Sequence, residues 1–309
     1  MIHLVLLTGF LGAGKTTFLN HILEEYKDEK IGLIVNEFSE TGVDGALVQS
    51  QNKDNDMIEL TNGSIFCACI KDKFVEALVE LSKKDITHAF IEASGLADPA
   101  SISSILDSIK EYTQTPYDYC GSICLTDAMY FLKHSAVLVA LKRQVEYSRA
   151  VIINKIDLAD EKQIAEVEEK IRELNPKADI YKTTYGNVPV KEILSNEREA
   201  EPEAQETTNT PSARPNTITM VTTEAVEVEQ LKKFLSEVAP FTFRMKGFAK
   251  TTEGAKQVSA VGTEIQMEDW DIQVSETNLV IISSIGIGII SKVLESSKLN
   301  FKEKINIKS

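Results

Sequence analysis

Short apolar runs alternate with amphipathic stretches through residues 1–194. The apolar runs are typical of buried strands, and they read HLVLLTG, KIGLIVNE, ITHAFIEAS, GSICLTDA, RAVIINKID and ADIYKTTYG. Helical periodicity separates several of them, as in KTTFLNHILEEY, where Phe18, Ile22 and Leu23 fall on one face. Because alternating strands and helices build a sheet that is covered on both faces, we predict an α/β domain with a mostly parallel sheet.

The composition changes after residue 194. Residues 195–216 contain five glutamates, three prolines and no large apolar side chain, so they are predicted to form a flexible acidic linker. Beyond the linker, the strand-like runs TITMVTT, FTFRMKGFAK, AKQVSAVG and NLVIISS are combined with the helical stretches VEQLKKFLSEV and GIISKVLESS. We therefore expect a small α+β domain at residues 217–309.

Residues 9–16 read GFLGAGKT, which matches the phosphate-binding pattern G-x-x-x-x-G-K-[ST] between a strand and a helix. In such a loop, main-chain N–H groups converge on the phosphates at a helix N-terminus. Lys15 is expected to reach the β- and γ-phosphates, Thr16 to hold Mg²⁺ and Thr17 to contact the α-phosphate. The predicted phosphate contacts are Gly12, Ala13, Gly14, Lys15, Thr16 and Thr17.

A second pattern, N-K-x-D, lies at the end of a buried strand and consists of Asn154, Lys155 and Asp157. Ligands of open α/β sheets bind at the carboxyl ends of strands. A carboxylate there can accept hydrogen bonds from N1 and the 2-amino group of guanine, whereas adenine offers no matching donors. Together with the phosphate loop, this pattern favours GTP and GDP over the adenine nucleotides.

Two further segments carry carboxylates toward the same site. The strand in AFIEASGLADP ends at Glu92, the place of a Walker-B carboxylate near Mg²⁺, with a loop after it that could sense the γ-phosphate. The alternative is that Glu92 caps the next helix. Glu37, Glu40 and Asp44 lie in NEFSETGVDG, a loop of the switch type, where they either approach a metal or are simply solvated.

Two of the four cysteines, Cys67 and Cys69, lie in TNGSIFCACIKD. This spacing is too tight for an unstrained disulfide, so a redox pair is the weakest of three interpretations, the others being a metal clip and two buried apolar side chains. Two thiolates select Zn²⁺, Co²⁺ or Ni²⁺ over Mg²⁺. Glu37, with Glu40 as the fallback, is the candidate third ligand of a labile site that responds to the nucleotide. We interpret Cys120 and Cys124, in a central strand, as structural thiols.

The segments GFLGAGKTT, NEFSETGVD, NGSIFCACI, IEASGLADP and NKID, in this order, resemble the motifs of the CobW family of GTPases, relatives of the HypB and UreG metallochaperones. The resemblance covers about residues 1–190. It implies GTP hydrolysis coupled to delivery of a transition metal or to activation of a metalloenzyme. The chain departs from the family's C-x-C-C motif, because Ile70 stands at the third cysteine position, and its four histidines are scattered.

The formal net charge of −14 disfavours nucleic acid and anionic membranes as partners. The apolar N-terminal run lacks the basic segment of a signal peptide, and no other run is long enough to span a bilayer. With four cysteines and no export signal, we expect a cytoplasmic protein with reduced thiols.

The leading hypothesis is a Mg²⁺-dependent GTPase that binds a transition metal and hands it to a client metalloprotein. No glutamine is placed to position the attacking water, so slow turnover is expected, with stimulation by a partner or by a nucleotide-dependent homodimer. The alternative is a nucleotide-gated activator of a metalloenzyme or corrinoid protein that carries no metal, a role that the missing third cysteine favours. A small-molecule kinase would use ATP, against which the N-K-x-D pattern argues.

Overall fold

The computed structural model describes residues 1–36, 56–60, 71–196, 215–301 and 305–308. The chain divides into two compact units, Met1–Ala213 and Arg214–Ser309. The predicted transition-metal ligands Glu37, Cys67 and Cys69 lie outside the described residues, together with Glu40, Asp44 and linker residues 197–214.

The first unit is built on a parallel sheet, as the alternating pattern predicts. Its described strands are Ile2–Gly9 (β1), Ile31–Asn36 (β2), Asp56–Leu60 (β3), His88–Glu92 (β4), Tyr117–Asp127 (β5), Ser148–Asn154 (β6) and Asp179–Lys182 (β7). They lie side by side in the order β3-β2-β4-β1-β5-β6-β7, and every neighbouring pair is parallel. The strand that leads into the phosphate loop, β1, is therefore central.

Helices cover both faces of this sheet. Those described are Lys15–Glu25 (α1), Lys71–Leu81 (α2), Ile102–Ile109 (α3), Phe131–Val137 (α4), Val139–Glu146 (α5), Glu161–Leu174 (α6) and Val190–Ser195 (α7). The predicted apolar stripe of α1, with Phe18 and Ile22, packs against Val5 and Leu7 of β1. Phe74 of α2 belongs to the core on the opposite face. This two-sided burial explains the apolar runs in β1, β2 and β6.

A bulge in β5 separates two cysteines that a regular strand would place on one face. The pairing of β5 with β1 shifts between Leu4 and Leu6, and Gly121 adopts φ +91° beside this shift. In an unbroken strand, residues four apart point to the same side. Here Cys120 packs in the core on the α1 face, whereas Cys124 packs in a different core with Val151.

The second unit is an antiparallel sheet with two helices. Its described strands are Thr217–Thr222 (β8), Thr242–Thr251 (β9), Gly254–Val261 (β10), Glu264–Trp270 (β11), Thr277–Ser283 (β12) and Asn306–Lys308 (β13), in the order β11-β10-β9-β12-β8-β13. Val228–Val238 (α8) and Ile289–Asn300 (α9) contribute Phe234 and Val293 to the core of this unit.

The fold class predicted for both parts is confirmed, although none of the predicted strands corresponds to β3, β13 or β11. The residues of β11 are mostly polar and partly exposed, so no apolar run marks this strand. Pairing with β10 forms it, and Trp270 at its end packs on Phe248 with ring centroids 4.8 Å apart. Among the residues that the structure describes, no helix combines the length and the apolar character that crossing a membrane requires.

Candidate nucleotide site

The phosphate loop connects β1 to α1 and has glycines where side chains cannot fit. Gly9 has φ +135°, and a Cβ atom there would stand 2.4 Å from the carbonyl oxygen of Leu125 on the neighbouring strand. Gly14 has φ +101° and precedes α1 directly, and its Cβ atom would stand 2.4 Å from the side-chain nitrogen of Asn154. The glycines thus permit both the turn and its close contact with the N-K-x-D segment.

Lys15 is the first residue of α1, and its side chain folds back across the loop. The ammonium group donates hydrogen bonds to the carbonyl oxygens of Gly9, over 2.9 Å, and of Phe10, over 3.3 Å. Only 8% of Lys15 is exposed, so the charge is held in a fixed, largely desolvated position. A buried cation beside a helix N-terminus is a favourable environment for an anion.

Thr16 and Glu92 meet although they are distant in sequence. The Thr16 hydroxyl donates to Oε1 of Glu92 over 3.3 Å, because β4 lies next to β1 and pairs Glu92 with Leu7. Oxygen donors of this kind are the ligands that Mg²⁺ prefers. The alternative role of Glu92, as the cap of the next helix, is filled by Asp98. The Asp98 carboxylate accepts a hydrogen bond from the N–H of Ala100 over 3.1 Å at the start of the next helical turn.

Asn154 joins three segments at the carboxyl edge of the sheet. Its amide nitrogen donates to the carbonyl of Ala13 over 2.9 Å, and its amide oxygen accepts from the N–H of Gly186 at the same distance. Asn154 is only 2% exposed, so both hydrogen bonds are shielded from water. The side chain therefore fixes the phosphate loop relative to the turn that follows β7.

Lys155 and Asp157 follow Asn154 at the carboxyl end of β6. Lys155 has the left-handed backbone conformation, with φ 59°, and its ammonium group lies 2.8 Å from Oδ2 of Asp127. Asp157 lies in the helical turn Ile156–Leu158 and is exposed, as is Thr17 on α1. The structure thus gathers the backbone of the N-K-x-D segment beside the phosphate loop and leaves the Asp157 carboxylate open to solvent.

Asp127, which ends β5, is a residue of this site that the sequence patterns do not predict. Its Oδ1 accepts from the N–H of Met129 over 2.8 Å, while Oδ2 holds Lys155. A carboxylate at the carboxyl end of a buried strand is a signal that could have identified it.

The loop after Glu92 is held by α5, a helix whose role the sequence patterns also do not predict. The side-chain amide of Gln144 donates to the carbonyl oxygens of Gly95, over 3.3 Å, and of Ala97, over 2.8 Å. Beside it, Nε of Arg143 lies 3.4 Å from the fully buried carboxylate of Asp98. Any movement of this loop in response to the nucleotide therefore involves these contacts with α5.

A buried histidine supports the phosphate loop from α4. The His134 ring makes an edge contact with Phe10, at 5.0 Å between centroids, and stacks on Tyr130 at 5.7 Å. Burial, together with the positive charge of Lys133, lowers the pKa of His134 to about 4, although Asp127 opposes the shift. His134 is therefore neutral in the folded protein near neutral pH.

Comparison with known proteins identifies the family of the first unit. Residues 3–182 match the family model described as the nucleotide-binding domain of CobW/HypB/UreG, which confirms the resemblance predicted from the five motifs. Over 223 residues the chain is 30% identical to zinc-regulated GTPase metalloprotein activator 1 of Dictyostelium discoideum, covering 61% of this chain and 47% of that protein. Over 192 residues it is 35% identical to zinc chaperone YjiA of Escherichia coli (strain K12), covering 60% and 59%.

The chain thus spans about half the length of the curated relatives that it matches, from 47% to 59% for these two. Among solved structures, the Zn(II)-bound YjiA GTPase from E. coli is similar, with a TM-score of 0.48, 22% identity and coverage of 97% of this chain and 99% of that chain. HypB from Helicobacter pylori in complex with nickel gives a TM-score of 0.43 and 19% identity, with coverage of 62% and 82%.

Proposed function

Because this chain belongs to the CobW/HypB/UreG family, we propose that it is a Mg²⁺-dependent GTPase that binds a transition metal and hands it to a client metalloprotein. The observation that carries the nucleotide part is the contact of Asn154 with both Ala13 and Gly186. It unites the phosphate loop and the base-binding segment in one site, so that one nucleotide can occupy both.

At the phosphates, each residue has a distinct task. The main-chain N–H groups of the loop and the N-terminus of α1 bind the phosphate oxygens. The Lys15 ammonium leaves the carbonyl oxygens of Gly9 and Phe10 to neutralise the β- and γ-phosphates. Thr16 and Glu92 would hold the Mg²⁺ ion, which would neutralise phosphate charge when bound.

At the base, we propose that Asp157 accepts hydrogen bonds from guanine, and that Lys155, held by Asp127, lies along the base plane. The exposed position of Asp157 leaves its carboxylate accessible to a base that arrives from solvent. An unpaired carboxylate beside adenine would lose this interaction, which supports selection of GTP and GDP over the adenine nucleotides.

For the transition metal, the proposed ligands are Cys67, Cys69 and Glu37, with one position left for water or the client. Thiolates favour Zn²⁺, Co²⁺ or Ni²⁺, and the relatives named zinc chaperone and zinc-regulated metalloprotein activator support zinc among these. We propose that the affinity of this site changes with the bound nucleotide, that turnover is slow without a partner or a nucleotide-dependent homodimer, and that the protein acts in the cytoplasm.

The test has two separate readouts. GTP and ATP binding by calorimetry, and phosphate release with and without Mg²⁺, examine the GTPase, with K15A as the inactive control. Zn²⁺ titration of the parent and of the C67S/C69S variant, each with GDP and with a non-hydrolysable GTP analogue, examines the metal site. GTP hydrolysis with no difference in zinc binding between parent and C67S/C69S would instead support the nucleotide-gated activator that carries no metal there. Equal affinity for GTP and ATP would overturn the nucleotide assignment.

A further inference from the structure

A row of polar side chains lies across the parallel sheet at the amino ends of β1, β4 and β5, opposite to the phosphate loop. His3 of β1 is the register partner of His88 on β4 and of Asp118 on β5. The row lies six residues before Gly9 on the same strand, which corresponds to about 20 Å. These residues therefore take no part in the nucleotide site.

Cys120 lies two residues after Asp118 on β5, so the alternation of side chains places it on the same face as this row. Its Sγ atom lies 3.7 Å from Nδ1 of His3 and 3.9 Å from Oδ2 of Asp118, while the His3 and Asp118 atoms are 3.0 Å apart. Within the described ranges, no other group of three His, Cys, Asp or Glu side chains brings its ligand atoms within 4.8 Å of one another.

These separations fit a single metal ion. Zinc bonds of about 2.0 Å to nitrogen and oxygen and 2.3 Å to sulfur, at tetrahedral angles, place the ligand atoms about 3.3–3.6 Å apart. The three observed distances fall on both sides of that range, so shifts of a few tenths of an ångström suffice. The carboxylate and a thiolate would together offset the two positive charges of the ion.

We propose that His3, Asp118 and Cys120 form a transition-metal site separate from the proposed Cys67 and Cys69 site. An imidazole nitrogen, a thiolate and a carboxylate select a borderline ion such as Zn²⁺ or Co²⁺ over Mg²⁺. The side chains of His3 and Asp118 are 45% and 26% exposed, which gives an ion a route from solvent. Three protein ligands leave the fourth tetrahedral position for water or an exchanging ligand.

Neighbouring groups support the triad without completing it. The His88 ring lies 5.3 Å from that of His3, and its Nδ1 faces Oε2 of Glu29 at 3.4 Å. Arg149 donates to the carbonyl oxygen of Cys120 over 2.9 Å, which fixes the bulge and hence the thiol. A site of fixed ligands open on one side is suited to reversible binding.

Cys124 provides a matched control on the same strand. It is 1% exposed among apolar side chains, and burial raises the pKa of its thiol to about 12. A thiol that keeps its proton is a poor metal ligand. Replacing Cys124 therefore removes a sulfur of equal size while leaving the triad intact.

The experiment titrates tag-free C67S/C69S protein with Co²⁺ and with Zn²⁺ in the absence of nucleotide. We expect one equivalent of Co²⁺ with thiolate-to-metal charge-transfer absorption in the near ultraviolet. The further change C120S should remove this absorption and weaken binding at least tenfold, H3Q should weaken binding similarly, and C124S should change neither. Because the His3 side chain is half-exposed, H3Q tests the proposal even if C120S fails to fold.

The absence of cobalt–thiolate absorption in C67S/C69S protein would overturn the proposal, as would C120S and H3Q proteins that bind Co²⁺ like their C67S/C69S parent. The triad would then be a polar cluster that seals the edge of the sheet. Since no nucleotide or Mg²⁺ is present, either failure leaves the proposed GTPase untouched, and the C67S/C69S background separates this site from the other proposed metal site.

Discussion

The side-chain amide of Asn154 donates a hydrogen bond to the carbonyl oxygen of Ala13 over 2.9 Å, across more than a third of the chain. The contact is tight because Gly14 has no Cβ atom, which would otherwise collide with the same amide. A single buried side chain thus sets the position of the phosphate loop relative to the segment that follows β6.

Replacing Asn154 with alanine should weaken GDP and GTP binding at least tenfold. The change leaves the carbonyl of Ala13 and the N–H of Gly186 without these partners, at a cost of about 1–3 kcal/mol that the nucleotide must overcome to order the site. Calorimetric titration with GDP measures the effect. The control is Asn187→Ala, at an exposed position on the same turn, which should bind like the parent. An N154A protein with parental affinity would show that the bridge does not support the nucleotide.

The parts of this site that the sequence predicts are those whose signal is local. GFLGAGKT fixes its own turn through Gly9 and Gly14, and the apolar run before Glu92 places that carboxylate at a strand end. Adjacent parallel strands then bring Glu92 to Thr16 without further information. The fold class follows for the same reason, because most of the strands and helices carry their own periodicity, with β11 as an exception.

The parts that the sequence does not predict depend on contacts between distant segments. The hydrogen bonds of Gln144 to Gly95 and Ala97 arise only once α5 packs beside the loop. The sequence also interprets Cys120 and Cys124 alike, as structural thiols. Only the bulge at Gly121 gives them different faces and different neighbours. A register shift of this kind leaves no periodic signal.

Base selectivity should depend on the Asp157 carboxylate. Asp157→Asn should lower GTP affinity and raise affinity for xanthosine triphosphate, because xanthine carries a carbonyl where guanine carries an amino group. Competition of each nucleotide against a fluorescent GDP analogue measures the change in relative affinity for GTP and xanthosine triphosphate. The control is Glu161→Gln, which removes a carboxylate charge at the first residue of α6. It should leave the preference for GTP as in the parent. A D157N protein that still prefers GTP to the same degree would assign base recognition elsewhere.

Thr16 and Glu92 should determine the Mg²⁺ dependence of hydrolysis. Thr16→Ala and Glu92→Gln should each raise the Mg²⁺ concentration for half-maximal phosphate release and reduce turnover at least tenfold, while Thr16→Ser should restore both by returning the hydroxyl. Glu24→Gln, on the exposed face of α1 where Glu24 pairs with Lys27, is the control and should behave as the parent. Normal Mg²⁺ dependence in the T16A protein would mean that another oxygen holds the ion.

Gln144 should stabilise the loop between Gly95 and Asp98. It is 1% exposed and supplies both hydrogens of its amide to carbonyl oxygens there, so Gln144→Ala should reduce the free energy of unfolding by about 1–3 kcal/mol. Gln144→Glu should cost more, because a carboxylate would face the same two oxygens. Urea unfolding measures both, with Lys142→Ala on the same helix as control. Equal stability of the Q144A, Q144E and parent proteins would contradict this role.

Acid should destabilise the protein partly through His134. Burial depresses the pKa of this side chain to about 4 in the folded protein, whereas the unfolded chain protonates it near its ordinary value of 6.5. The unfolded state therefore binds the proton first, so the stabilising contribution is complete above pH 6.5 and is lost as the pH falls toward 4. Between about pH 7.5 and pH 5 the expected loss is about 2 kcal/mol. Urea unfolding of the parent and of His134→Gln at both pH values isolates this part, because all other groups titrate in both proteins. We expect the parent to lose about 2 kcal/mol more stability than the variant between the two pH values. Equal losses would show that His134 takes up its proton in the folded state as readily as in the unfolded chain.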